Sequence, residues 1–388
     1  MTVRLARRTL LAGTAALATA RTMATRPAQA EAATAPVGAL ERVVAAQAPT
    51  TPTGLTLSAD GRMFLFMPRF DEQTVFTAGE VFPDGRVVPY PSEAANRPDP
   101  ARPAETLFHV PNGVFDAKNR LWLLDAGLMA SSGEPVQGAA KLVCIDPATN
   151  AILRTIPLQS VVTKTSSLND LWVDVRPGRE AAYITDQGQT GAGAVIAVDL
   201  ASGRAVRRLA DHASTQSVPG ILKIVEGRVL LKREADGTTS PIKGGANGIA
   251  LSPDGARLYY TPLMSRRLYA VETAALLDAG KDDAAVAETV TDLGEKGLTG
   301  GLVADSRDRI YLSLQEFNGI GRRDPDGRIE VIATDPRLIW PDTFWITSDG
   351  WLYLSSAQAN RRPEHNGGID RQEPPYAIFR MRIDAGPA

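Results

Sequence analysis

The sequence predicts an all-β fold, a six-bladed β-propeller, and three observations predict it. One strand–turn–strand phrase recurs: residues 112–125 open on Asn112-Gly113, residues 247–260 on Asn247-Gly248, and residues 341–354 on Pro341-Asp342. Recurrence of one hairpin unit at a spacing of roughly 40–80 residues is the signature of propeller blades. Asp-Gly, Lys-Asn and Arg-Asp pairs divide each phrase, where Gly, Asn and Asp tolerate left-handed backbone. Outside the repeats only residues 273–280 look helical, and they are expected between blades.

In chain order, residues 40–46 read as a lone strand, followed by six hairpins. These begin at residues 53–66, 112–125, 168–186, 247–260, 300–313 and 341–354, with outer strands such as 194–199 and 267–272 behind them. The sixth unit ends in the alternating strand 376–383 and lacks one outer strand. The N-terminal strand is expected to fill that place, closing the ring and removing its open edges. The Pro- and Arg-rich loops 91–105 and 360–375 are long enough to cap a face.

The chain has 388 residues, 44% hydrophobic and 22% charged, which one ring accounts for. Residues 1–30 read as an export signal, leaving 31–388 as a single domain. Arg7-Arg8 precedes an apolar run ending at Ala20, and Ala28-Gln29-Ala30 offers a small-x-small cleavage site. Paired arginines, with Arg21 and Arg26 after the apolar run, favour a twin-arginine signal over an ordinary secretory one and imply a periplasmic or secreted protein. Without this segment, 37 basic residues face 44 acidic ones, and no basic run remains. This argues against a nucleic-acid partner, and no later run approaches membrane-spanning length. Cys144 is a lone cysteine within an apolar strand and reads as a buried, inert side chain.

Residues just before each innermost strand face the channel mouth of a propeller. Those positions are Thr53, Asn112, Asn169 with Asp170, Asn247, Thr299 and Asp342. Their side-chain oxygens suit a polar small molecule, or a hard cation such as calcium held by Asn169, Asn247 and Asp342. The bland alternative is that Asx residues cap their own strands. Phe344 and Trp340 flank Asp342 and are candidates to stack on a planar ligand. His109 is the one histidine beside a channel position, with a satisfied core residue as its alternative. No zinc pattern, nucleophile elbow or phosphate-binding glycine loop occurs. Recurrent aromatics, Trp172 and Trp345 among them, are expected to pack between blades.

Several of these phrases resemble the yellow and major royal jelly protein family. They are Asn119-Arg-Leu-Trp-Leu-Leu-Asp-Ala-Gly127, Ser167-Leu-Asn-Asp-Leu-Trp-Val-Asp174, Gly248-Ile-Ala-Leu-Ser-Pro-Asp-Gly255 with its following strand, and Trp340-Pro-Asp-Thr-Phe344. The resemblance covers residues 40–383. It implies a six-bladed propeller and either dopachrome-tautomerase-like isomerisation or non-catalytic binding of amines or aromatics in the channel. A more distant similarity runs to sugar-lactone lactonases, which hold a divalent cation with a first-blade glutamate, asparagines and an aspartate. Asn169, Asn247 and Asp342 stand at such places, but Thr53-Gly54 replaces the glutamate. For tautomerisation, Asp342 or Asp170 would be the base, while Asn112, Asn169, Asn247, Thr299 and Phe344 would hold the ligand. Asn247 and Asn169 would steady the developing oxyanion.

Overall fold

Each recurrent phrase folds into the two inner strands of a four-stranded antiparallel sheet, and six such sheets form the ring. The structure, a computed structural model, describes residues 39–130, 133–234 and 236–388. The export signal expected over residues 1–30 lies outside them. The innermost strands are Gly54–Leu57, Asn112–Phe115, Leu168–Asp174, Ala246–Leu251, Thr299–Ala304 and Pro341–Ile346. Each neighbours the next, and the sixth neighbours the first. Ring closure follows the sequence expectation: Glu41–Ala46 pairs antiparallel with Tyr376–Arg382 as the outer strand of the sixth blade. An ion pair between Arg380 and Glu41, 3.0 Å, spans the two chain ends.

One placement differs from expectation. The helical segment is two short helices, Thr273–Leu277 and Asp283–Ala287, and both lie inside the fourth blade. They join its third strand, Arg267–Glu272, to its outer strand, Thr291–Glu295, so they extend a blade rather than link two. Asp282 starts the second helix by accepting the Ala285 N–H at 2.9 Å.

Four of the six innermost strands are bulged at the same place. The pairing register breaks between Leu168 and Leu171, Ala246 and Ile249, Thr299 and Leu302, and Pro341 and Phe344. A bulge leaves residues unpaired and re-aims their side chains. The unpaired pairs are Asn169-Asp170, Asn247-Gly248, Gly300-Gly301 and Asp342-Thr343, the opening words of the phrase.

Around the axis, neighbouring blades are tied at this level. Thr343 Oγ1 donates to Thr53 O, Thr53 Oγ1 donates to Pro111 O at 2.9 Å, and Thr185 Oγ1 donates to Asn247 O. Between the fourth and fifth blades backbone meets backbone. A Cβ on Gly248 would lie 2.1 Å from Gly300 O, so only glycine fits.

The Leu-Asp-x-Gly motif also has a structural explanation. Asp125, fully buried, accepts the N–H groups of Phe108 (2.9 Å), His109 (3.0 Å) and Gly127 (2.9 Å), and pairs with Lys141 at 2.7 Å. Asp186 repeats the arrangement in the third blade, accepting from Ser167 N, Gly188 N, Ser166 Oγ and Arg207. Each aspartate clasps the chain entering a blade to the end of that blade's second strand. His109 therefore belongs to the core: it is buried, its Nδ1 lies 3.3 Å from Arg69 O, and burial draws its pKa down to about 4. Cys144 is likewise buried, and desolvation pushes its thiol up to about 11.

Candidate active site at the channel mouth

The bulges bring Asp170 and Asp342 into one electrostatic neighbourhood from opposite blades, the third and the sixth. Both are buried. Burial pushes the Asp170 carboxyl up to about 7, opposed by a hydrogen bond from Asn112 Nδ2 to Asp170 Oδ1 at 3.0 Å. Asn112 is itself fixed, because its Oδ1 accepts the Gly113 N–H at 2.8 Å. Asp342 is raised well above the usual carboxylate range, by burial first and then by repulsion from Asp170.

Trp340 holds Asp342 in place. Its side chain lies near enough to the carboxyl to favour the charged form, and its backbone is left-handed with φ 55°, a strained conformation for a bulky residue. The indole packs against Val225, Leu230 and Ala357, so a lid presses on it.

That lid is the part the sequence left unread. Between the third and fourth blades, the chain leaves the repeat and forms two small hairpins. They pair Ile224–Val225 with Arg228–Val229 and Leu231–Arg233 with Thr239–Pro241. Loop 360–375 clamps them: Arg361 and Asn360 both bind the Glu226 carboxylate at 2.7 Å, and His365 Nδ1 meets Leu231 O at 3.0 Å. The lid carries Lys223 into the mouth. This lysine is fully buried; its Nζ lies 2.6 Å from Gln315 Oε1 and 4.9 Å from the Trp340 ring centroid. Burial draws its pKa down to about 7, against the opposing pull of Glu316 and Asp342. The signal was present in the sequence: one cation, Lys223, in the otherwise apolar run 221–225.

The other expected residues divide. Asn247 is engaged, its Nδ2 donating to Gln187 Oε1 at 3.0 Å. Asn169 is half-buried, and no hydrogen bond links its side chain to the channel groups. Thr299 is fully buried, and among the described residues its hydroxyl has no hydrogen-bond partner. Phe344 is buried in a cluster with Val303, Ile346 and Leu354, and it also lines the narrow channel cavity beside Asp170. The bulge at Asp342-Thr343 brings Trp345 to the same cavity. Trp345 and Trp172 meet with ring centroids 6.4 Å apart. Since they come from opposite blades, they pack across the axis rather than between blades, closing the channel below the carboxyls. The channel cavity between them and Asp170 holds about 10 Å³, roughly the room of one water. A cavity of about 590 Å³ lies in the lid instead, lined by Val225 and Leu230, the residues that cover Trp340.

The expected calcium ligands Asn169, Asn247 and Asp342 include a single carboxylate. Calcium takes six to eight oxygen ligands, and among the described residues no group of three His, Cys, Asp or Glu is placed to hold a metal. Asn247 donates to Gln187 through Nδ2 and Thr53 Oγ1 donates to Pro111 O, bonds that use the donors and leave both oxygens' lone pairs, while the Lys223 amine stands near Asp342.

One stability consequence can be measured. Because the folded pKa of Asp170 is raised, its stabilising contribution is complete below pH about 4 and is lost as pH rises through about 7. Asp170→Asn removes that loss. Thermal unfolding should show the variant melting a few degrees above the parent at pH 8, with the gap closing near pH 4. An unfolding temperature lowered equally at both pH values would contradict the carboxyl's assigned environment.

Together these features define a six-bladed propeller with a pair of carboxyls at the axis, under a lid. The family model for the major royal jelly protein matches residues 113–384. The chain belongs to the major royal jelly protein family, also called the yellow family. No curated protein matches it. Among solved structures, regucalcin from Agrobacterium tumefaciens, described as a calcium-binding protein, is 17% identical with a TM-score of 0.51, covering 91% of this chain and 97% of its own. A gluconolactonase from Xanthomonas campestris is 15% identical with a TM-score of 0.52, covering 90% and 91%. A luciferin-regenerating enzyme is 12% identical with a TM-score of 0.53, covering 90% and 97%. At such identities the likeness is one of fold.

Proposed function

We propose that the protein isomerises a small aromatic or quinone-like carbonyl compound at the channel mouth by proton transfer, in the manner of a dopachrome tautomerase. The observation that carries this is the pair of axial carboxyls, one poised near pH 7 and the other raised well above the usual carboxylate range. Tautomerisation needs a base to remove a proton at one atom and an acid to return one at another, and paired carboxyls with separated pKa values supply both. Asp170 is the base, aligned by Asn112. Asp342 is the acid, aligned by Trp340. The Thr299 hydroxyl is the donor left over for a ligand oxygen. With only about 10 Å³ in the channel, substrate enters when the lid lifts, and the lid cavity above Trp340 is its waiting place.

The test is loss of the visible absorbance of dopachrome in the presence of the purified protein. The catalysed rate should climb with pH around a midpoint near 7, as Asp170 ionises, and Asp170→Asn should lack that limb. No acceleration over buffer at any pH would end the proposal. A second reading, amine binding without turnover, draws on Lys223, whose amine already occupies a seat formed by Trp340, Gln315 and the field of Asp342. Calorimetric binding of a primary amine with no product would favour it.

A further inference from the structure

We propose that Lys223 is a nucleophile, capturing the carbonyl of a quinone, ketone or aldehyde as an imine. The inference deepens the function proposed above and rests on it for the choice of a carbonyl substrate. Its basis is the way this fold treats its buried lysines. Lys141 has four acceptors for its ammonium: Pro103 O, Thr106 O, Ala139 O and the Asp125 carboxylate, all within 2.9 Å. Lys296, also buried, donates to Gly297 O at 2.9 Å and Ser265 O at 3.4 Å. Lys223 has one acceptor, Gln315 Oε1. A buried ammonium would leave two N–H bonds unmatched, at a cost of several kcal/mol. A neutral amine uses one N–H for Gln315 and keeps its lone pair.

The surroundings agree. The amine is desolvated beside an indole face, and Arg266 partly offsets the pull of Glu316 and Asp342 on its proton. Burial and a neighbouring cation are the two means by which proteins activate lysine toward carbonyls. The segment bearing it is pinned to the fifth blade, where Glu316 accepts the Ile224 N–H at 2.9 Å and pairs with Arg266.

The step balances with groups present. The Nζ lone pair attacks the carbonyl carbon; the C–N bond forms, and the C=O π pair moves to oxygen. That oxygen takes the proton of Asp342, and the nitrogen returns one to the Asp342 carboxylate. Loss of the hydroxyl as water, with the Asp342 proton, forms C=N. The second nitrogen proton goes back to Asp342. Amine and carbonyl have become imine and water, and Asp342 ends protonated. The imine draws electrons from the adjacent carbon, which is where a tautomerase must remove its proton.

Reductive trapping tests this on the full chain. The protein is incubated with phenylacetaldehyde and sodium cyanoborohydride at pH about 7, and the alkylated lysines are located by peptide mass spectrometry. A lysine titrating near 7 has about 10³ more neutral amine at that pH than an ordinary one, partly offset by weaker nucleophilicity. Lys223 should therefore be labelled at least about tenfold faster than exposed Lys164. Lys296 should stay unlabelled, and both Lys223→Arg and Lys223→Met should remove the fast phase. Labelling of Lys164 without Lys223, equal rates at the two, or preferential labelling of Lys296 would each overturn the inference. Dopachrome turnover on the same preparation separates the two proposals. Turnover that survives in Lys223→Met discards the imine and leaves the carboxyl pair standing. A fast Lys223 adduct without turnover keeps the nucleophile and discards the assigned reaction.

Discussion

Replacing Asp342 by Asn is expected to lower kcat on dopachrome by about 10²–10⁴-fold, the usual worth of a positioned proton donor. The substitution keeps the shape of the side chain and its contact with Trp340, and removes only the transferable proton. KM should therefore change little, since the ligand still meets the same surface. The pH dependence should change as well. Asp342 carries no charge while Asp170 titrates, so the substitution relieves no repulsion, and the change should lie in the loss of any limb at higher pH, where Asp342 itself ionises, with the rise near 7 retained. A variant with unchanged kcat would remove Asp342 from the chemistry. A variant with unchanged kcat and raised KM would make it a binding group.

The second large effect concerns stability. Lys141→Met should destabilise the ring by about 3–5 kcal/mol, because it leaves the Asp125 carboxylate buried without its counter-ion. For a domain of this size that corresponds to a fall of about 5 °C in Tm. Asp125 keeps its three backbone N–H bonds, so the clasp itself survives and unfolding should stay cooperative. Combining Lys141→Met with Asp125→Asn should recover part of the loss, since it removes the stranded charge. A double variant less stable than Lys141→Met would show that the carboxylate's bonds to Phe108, His109 and Gly127 outweigh its pairing with lysine.

The blades were legible because a strand in a sheet imposes a period of two, and residues such as Asp-Gly and Lys-Asn mark its turns. The closing strand was legible because the last unit was one strand short. Asp170 and Asp342 could be located by counting to the start of each inner strand. Counting further was not enough: a bulge inserts one residue after Asp342 and brings Trp345 to the channel cavity beside Phe344. The same slip separates Asp170 from Asn169. A bulge is a property of paired strands, and one strand's sequence does not announce it. Lys223 was missed for a different reason. It lies in a segment with no repeat to set its phase, and its burial depends on Trp340, Gln315 and loop 360–375, far away in the chain. The Leu-Asp-x-Gly motif was recognised without its cause, which is the clasp made by Asp125 and Asp186.

The outer strand of the sixth blade comes from the start of the domain and its three partners from the end. Glu41–Ala46 leaves the ribosome before every other strand and waits for Tyr376–Arg382, more than 300 residues later, before it has anything to pair with. Five blades can assemble as they are made, from contacts within one hairpin pair. The last contact has the longest sequence separation the fold allows, and its loop-closure entropy is met only at chain completion. Until then the molecule is an open horseshoe with a bare edge at each end. The channel acquires its floor and its Asp342 in that same final step, so a chain truncated anywhere in the sixth blade lacks both a closed ring and an assembled site.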